Sequence, residues 1–250
     1  GVDPSDHEVN RKTTTGILER QGKLTRAQRN KLLPTMTDAV ASHVLVHNYD
    51  QTLALSLLEM DTVRELEPHA RFMAELEQAG RLDRVVEGLP DAATIAERLK
   101  QGRGLLRPEL AVLLAYGKLE LKREIAATRA TEDPFFEGRL ETYFPKPLRK
   151  YKEAILGHRP SFPSRTMISA NCGVTALING YEVAKQALDF ERLWAAVEAL
   201  DLKVPAAGQM ALFRRLSAGL RGATFWLARR AGREGLGIAE LTARYVPGFR

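Results

Sequence analysis

Apolar residues in this chain recur at intervals of three and four, and nowhere do β-branched or aromatic residues alternate over the length of a strand. That periodicity restricts the fold more than any other feature. Leu110, Leu113, Leu114, Gly117 and Leu121 fall at i, i+3, i+4, i+7 and i+11, one stripe of a helix, and Pro108 suits its first turn. Met210, Phe213, Leu216, Leu220, Ala223 and Leu227 repeat the pattern on a long helix that follows Pro205 and runs to about Arg230. The reading is an all-α protein, an irregular multi-helix domain of about eight to ten helices without a Rossmann sheet.

Helix ends mark the organisation. Ser5 with Glu8, and Thr25 with Gln28, have the capping-box pattern. The second opens a helix to about Asn48, with Leu32, Leu33, Met36, Val40 and Val44 on one face. Pro34 inside it removes a backbone donor and kinks or splits the run. Thr52 to Ala79 is helical in pattern, divided at Pro68 and closed by Gly80. Residues 92–100 form a short helix, and a charged helix runs from Lys146 to about Gly157. Residues 159–174 are irregular, helices resume at Thr175–Leu188 and Phe190–Leu200, and the last twenty residues are Gly-rich and poorly patterned.

Composition narrows the class. Of 250 residues 44% are hydrophobic and 27% charged, so a packed core is affordable and disorder is not expected. The longest apolar stretch, Leu110–Tyr116, is far short of the ~20 residues of a membrane span. No basic patch followed by an apolar run opens the chain, and the single Cys172 forms no internal disulfide, which points to the cytoplasm. The chain opens at Gly1 without a methionine and reads as part of a longer protein. The net charge of +6 lies in residues 201–250, which hold nine Lys/Arg and three Asp/Glu; residues 1–200 hold 28 of each. A basic face of this kind is a weaker sign of nucleic-acid binding than a basic domain.

Several pieces, in order, resemble the large bacterial NAD-dependent glutamate dehydrogenases. They are Gly1-Val2-Asp3-Pro4-Ser5-Asp6-His7-Glu8-Val9-Asn10, the run Thr25 to Met36 (TRAQRNKLLPTM), His69 to Phe72, Gly80 to Arg84, Arg107 to Tyr116, Tyr143-Phe144-Pro145, and Leu193-Trp194 through Lys203-Val204-Pro205. The resemblance covers residues 1–158 and 181–230. It implies the C-terminal helical region of an enzyme that converts L-glutamate, water and NAD to 2-oxoglutarate, ammonium and NADH, with the catalytic lysine and aspartate and the Rossmann domain upstream. It divides the chain into the end of the catalytic-domain substrate loop with a connecting helix (1–24), a helical domain (25–158), an irregular linker (159–180), a helical hairpin (181–230) and a tail (231–250). The implied partners are the chain's own catalytic domain, further copies in a homo-oligomer, and the substrate of the parent enzyme.

One site residue carries over. Ser5 stands where glutamate dehydrogenases place a serine that hydrogen-bonds the side-chain carboxylate of the substrate; from the residues alone it reads first as a plain N-cap paired with Glu8, and the two roles are compatible. No catalytic, metal or cofactor residue is assigned. The G-x-G-x-x-G fingerprint is absent, and Gly232, Gly235 and Gly237 have the wrong spacing with no strand before them. NAD is therefore expected on the parent enzyme and not on this segment.

The sequence also departs from the family. Pro34 and Pro68 stand where helix formers are expected. Leu106 replaces the threonine that would cap the helix at Pro108, a cost of about 1 kcal/mol. A basic and aliphatic helical stretch is missing after His158-Arg159.

Other clusters favour plain readings. His43 and His47 at i, i+4 have neither the glutamate of H-E-x-x-H nor a third ligand. His7 beside Asp3, Asp6 and Glu8 reads as caps and solvated charge. Cys172 has no histidine nearby in sequence. Trp194, Phe225 and Trp226 read as core or interface anchors. Arg214, Arg215, Arg221, Arg229 and Arg230 read as a solvated face, or as a contact for nucleic acid, an acidic partner or a nucleotide effector. A free-standing helical binding module using that basic helix is the alternative function; a truncated, inactive product is a third, prompted by the missing stretch.

Overall fold

The structure, a computed structural model, describes residues 7, 10–11, 14–128, 143–152 and 172–249, with backbone alone for 172–178 and 249. Ten helices of six residues or more are present among them, and no strand: α1 (Thr15–Arg20), α2 (Arg26–Leu32), α3 (Thr37–Asp61), α4 (Leu66–Gln78), α5 (Ala92–Lys100), α6 (Arg107–Ala126), α7 (Cys172–Ala187), α8 (Phe190–Glu198), α9 (Ala206–Glu234) and α10 (Ile238–Tyr245). The all-α expectation holds. Two compact units divide the chain, residues 1–52 with 127–168, and residues 53–126 with 169–250.

In the first unit Thr25 builds the expected capping box. Its hydroxyl accepts from the Gln28 N–H at 3.2 Å, and Gln28 Oε1 accepts from the Thr25 N–H at 2.8 Å. Pro34 splits the helical run as expected: α2 stops at Leu32, and a 3₁₀ turn over Leu33–Met36 leads into α3. Leu18, Leu24, Met36 and Val40 bury themselves against Phe144 and against Leu148 on the single turn Lys146–Arg149. Each fully buried leucine there contributes about 1.5–3 kcal/mol.

One expected boundary is absent. The sequence pattern ends a helix near Asn48 and starts another at Thr52, whereas α3 runs unbroken to Asp61. The polar residues bond back onto their own helix and do not end it. Asn48 Nδ2 donates to the Val44 carbonyl at 2.6 Å, Gln51 Nε2 to that of His47 at 3.2 Å, and the Thr52 hydroxyl to that of Tyr49 at 2.8 Å. The division expected at Pro68 falls at residues 62–65, so the proline sits in the first turn of α4, where its missing N–H costs nothing.

In the second unit, Leu66, Met73, Leu76, Leu82, Leu89, Ile95, Leu105, Leu110 and Leu113 form one core from a contiguous stretch of chain. Gly80, at φ +64°, ends α4: its N–H donates to the Glu77 carbonyl at 2.9 Å and the Arg81 N–H to that of Leu76 at 2.9 Å, a Schellman closure. The stripe on α6 is buried only over its first turns; Leu121 is 48% exposed.

The start of α6 shows how the chain manages without the threonine at 106. Glu109 Oε2 reaches back to accept the Leu106 N–H at 2.7 Å, the side of a capping box that glutamate supplies. The same carboxylate takes a bidentate pair from Arg98, at 2.6 and 2.9 Å, and Arg98 also donates to the Gly104 carbonyl at 3.3 Å. Arg98 and Glu109 are largely buried. Their hydrogen bond holds the Arg98 guanidinium above its ordinary pKa against the opposing effect of burial. Gly104 lies so close to Thr62 that an added Cβ would collide with its side chain and backbone.

The most extensive helix pairing joins α7 to α9. Gly180 makes it possible, since a Cβ there would lie 2.5 Å from the Ala228 backbone nitrogen and 2.7 Å from the Thr224 carbonyl oxygen. The expected stripe on α9 is inward: Phe213, Leu220 and Leu227 are buried, with Thr224 and Ala231 beside them. Phe213 packs with Leu53 and Val197, and the Trp194 ring lies 4.5 Å from that of Phe213. The last twenty residues are more ordered than their composition suggests. α9 continues to Glu234, Gly235 at φ +66° ends it, and α10 buries Ile238 and Leu241. Glu240 caps α10 by accepting the Gly237 N–H at 2.8 Å.

Candidate functional site

Ser5, the residue assigned to substrate, lies outside the described residues, as do Asp3, Asp6 and Glu8. The segment just after it is anchored. The Thr15 hydroxyl donates to the Arg11 carbonyl at 2.6 Å, Arg29 Nε donates to that hydroxyl at 3.0 Å, and Arg29 Nη2 to the Arg11 carbonyl at 3.3 Å. Asn10 is fully buried. Arg29, in the TRAQRNKLLPTM run, thus ties the residues following the Ser5 loop to α2.

The remaining candidates separate cleanly. His43 sits 6.1 Å from the Tyr143 ring, and no group of three His, Cys, Asp or Glu able to hold a metal occurs among the described residues. The side chain of Cys172 lies outside the description. Gly235 terminates α9 and Gly237 begins α10, so these two glycines serve helix ends.

The arginines of α9 do not form one uniform solvated face. Arg214 is ion-paired with Asp61, and Arg221 lies 3.5 Å from Glu65, so both serve packing within the second unit. The Arg230 guanidinium carbon lies over Trp226, 3.7 Å from the ring centroid, and the Tyr245 ring meets Trp226 edge-on at 5.4 Å. Glu234 accepts from Arg244 at 2.6 Å and from the Tyr245 hydroxyl at 3.0 Å. Beside this cluster Gly222, Phe225, Trp226, Arg229, Arg230 and Arg233 line a shallow concavity of about 340 Å³. Arg229 and Arg233 have no carboxylate partner among the described residues. The sequence reading misses Arg233 and Tyr245 as members, because both lie in the stretch taken as unpatterned tail. Arginine and aromatic carbon can bind anionic, partly apolar groups. None of the six lining residues is an acid, base or nucleophile suited to catalysis near neutral pH.

Residues 102–159 and 160–250 match the family model described as glutamate dehydrogenase, C-terminal, and residues 1–58 that of the bacterial NAD-glutamate dehydrogenase catalytic domain. The NAD-specific glutamate dehydrogenases of Halomonas elongata and Pseudomonas aeruginosa are each 34% identical over 267 residues, covering 99% of this chain and 16% of the relative. That of Mycobacterium tuberculosis is 33% identical over 207 residues, covering 80% of this chain and 13% of the relative. The chain therefore spans only about 16% of the length of the first two relatives. No solved structure matches it. No helix among the described residues is long and apolar enough to cross a membrane.

Proposed function

We propose, from the premise that this chain belongs to the glutamate dehydrogenase C-terminal family, that it is the helical scaffold segment of an NAD-dependent glutamate dehydrogenase. The observation that carries the reading is the order of two similarities in one chain: that to the catalytic domain over residues 1–58, then, beyond residues 59–101 that neither family model covers, that to the C-terminal family from residue 102. The parent enzyme converts L-glutamate, NAD and water to 2-oxoglutarate, ammonium and NADH. Its nucleotide site and proton-transfer groups lie outside this chain, which supplies packing surface to its own catalytic domain and to a homo-oligomer in the cytoplasm.

Within that reading residues 1–24 close the catalytic region, and the helices from α2 to α10 supply the scaffold. Ser5 donates a hydrogen bond to the side-chain carboxylate of the substrate. Calorimetry tests the division of labour: the isolated chain shows no saturable NAD binding, and a saturable isotherm refutes it. In the parent enzyme, Ser5→Ala raises KM for glutamate about tenfold or more, the loss of a hydrogen bond to a charged group. An unchanged KM removes Ser5 from the site.

A further inference from the structure

We propose that the outward face of α9 is a docking surface for an acidic amphipathic helix from outside this chain. Gly222, Phe225, Trp226, Arg229, Arg230 and Arg233 stand at i, i+3, i+4, i+7, i+8 and i+11, a single strip about 16 Å long. The buried stripe of Phe213, Leu220 and Leu227 covers the opposite requirement, so the strip is not needed for this chain's own core. Phe225 is 54% and Trp226 40% exposed.

The shape selects a rod over a small molecule. Small-molecule sites enclose most of their ligand between several elements. Among the described residues this concavity is lined by α9 alone. Its floor is Gly222, around which an added Cβ would meet nothing within 4 Å, and the same holds one turn earlier at Gly219. Another helix can approach closely there while its apolar side chains rest on Phe225 and Trp226. Trp226 is already held by Arg230 on its face and Tyr245 at its edge, so little side-chain freedom is lost on docking.

Charge selects the partner. Arg229 and Arg233 sit one turn apart without a carboxylate among the described residues, and Glu234 is engaged by Arg244 and Tyr245. Two carboxylates one turn apart on a facing helix match them. A second copy of this face would set arginine against arginine, which is repulsive. A nucleic acid would draw on a longer basic track, but Arg214, Arg221 and Arg244 are committed to Asp61, Glu65 and Glu234.

The test is a tryptophan-fluorescence titration of the 250-residue chain with a blocked 18-residue helical peptide carrying leucine on one face and glutamate pairs at i, i+4 beside it. Its Glu→Lys counterpart, a single-stranded oligothymidine and inorganic phosphate are titrated in parallel. Saturable binding of the acidic peptide alone is expected. It weakens about tenfold or more in Arg229→Gln/Arg233→Gln. It weakens likewise in Gly222→Leu, which leaves every charge in place, fills the floor and adds a helix-favouring residue where there is room. Circular dichroism of both variants confirms an intact fold. The proposal is overturned by no saturable response to the acidic peptide, by equal binding to Gly222→Leu, by tighter binding of the oligonucleotide or phosphate, or by a concentration-dependent dimer in sedimentation that Gly222→Leu abolishes.

Discussion

Replacing Glu109 by alanine tests whether the second unit depends on one carboxylate. Three bonds disappear together: the two from Arg98, at 2.6 and 2.9 Å, and the one from the Leu106 N–H at 2.7 Å. The Arg98 and Glu109 side chains are only 15% and 11% exposed, so water replaces the lost partners poorly. Removing one member of a buried pair costs about 3–5 kcal/mol, mostly the stranded opposite charge. Arg98 keeps its bond to the Gly104 carbonyl, which moderates the loss to about 3 kcal/mol. For a chain of this size that lowers Tm by roughly 6–12 °C. Urea and thermal melts followed by far-UV circular dichroism measure it. The double variant Arg98→Met/Glu109→Leu, which removes both charges, should recover much of the loss. A loss below about 1 kcal/mol in Glu109→Ala, or no recovery in the double variant, would show that the pair behaves as a solvated surface bridge.

Two further perturbations follow. Gly180→Ala drives a methyl into the α9 backbone, with contacts of 2.5–2.9 Å, and should destabilise the chain by about 2–3 kcal/mol in urea melts; an unchanged midpoint would mean that the two helices separate freely. His69 has its pKa lowered by burial, with Glu65 acting weakly in the opposite sense. The unfolded chain therefore binds the proton more tightly, so this contribution is present above about pH 6.5 and is lost as pH falls through the lower folded value. The slope of stability between pH 7 and 5 should shrink in His69→Gln, and an identical slope would remove His69 as its source.

The parts of the fold that the sequence discloses are those with local, repetitive causes. The Thr25–Gln28 box, the break at Pro34, the turn at Gly80 and the inward stripe on α9 each depend on residues within two or three turns of one another. Asn48 misleads because its amide can end a helix or bond back to Val44, and only the surrounding packing decides between them. α10 is missed because two buried apolar residues, Ile238 and Leu241, are too few to establish a period. The Arg98–Glu109 pair joins two different helices across the loop between them, so no periodicity within one helix announces it. The basic cluster reads from the sequence as one set of arginines. Three-dimensional pairing divides it into Arg214 and Arg221, engaged by Asp61 and Glu65, Arg230, stacked on Trp226, and Arg215 and Arg229, which have no carboxylate partner among the described residues.

The core built from Leu66 to Leu113 has a kinetic meaning. Every buried member comes from fewer than fifty consecutive residues, and the ion pair that closes it joins positions eleven apart. Short closures lose little chain entropy, and contacts of low sequence separation form early. This stretch has what it needs to collapse while α9 is still being synthesised. The crossing at Gly180 joins helices from residues 172–234, which follow that core in the chain.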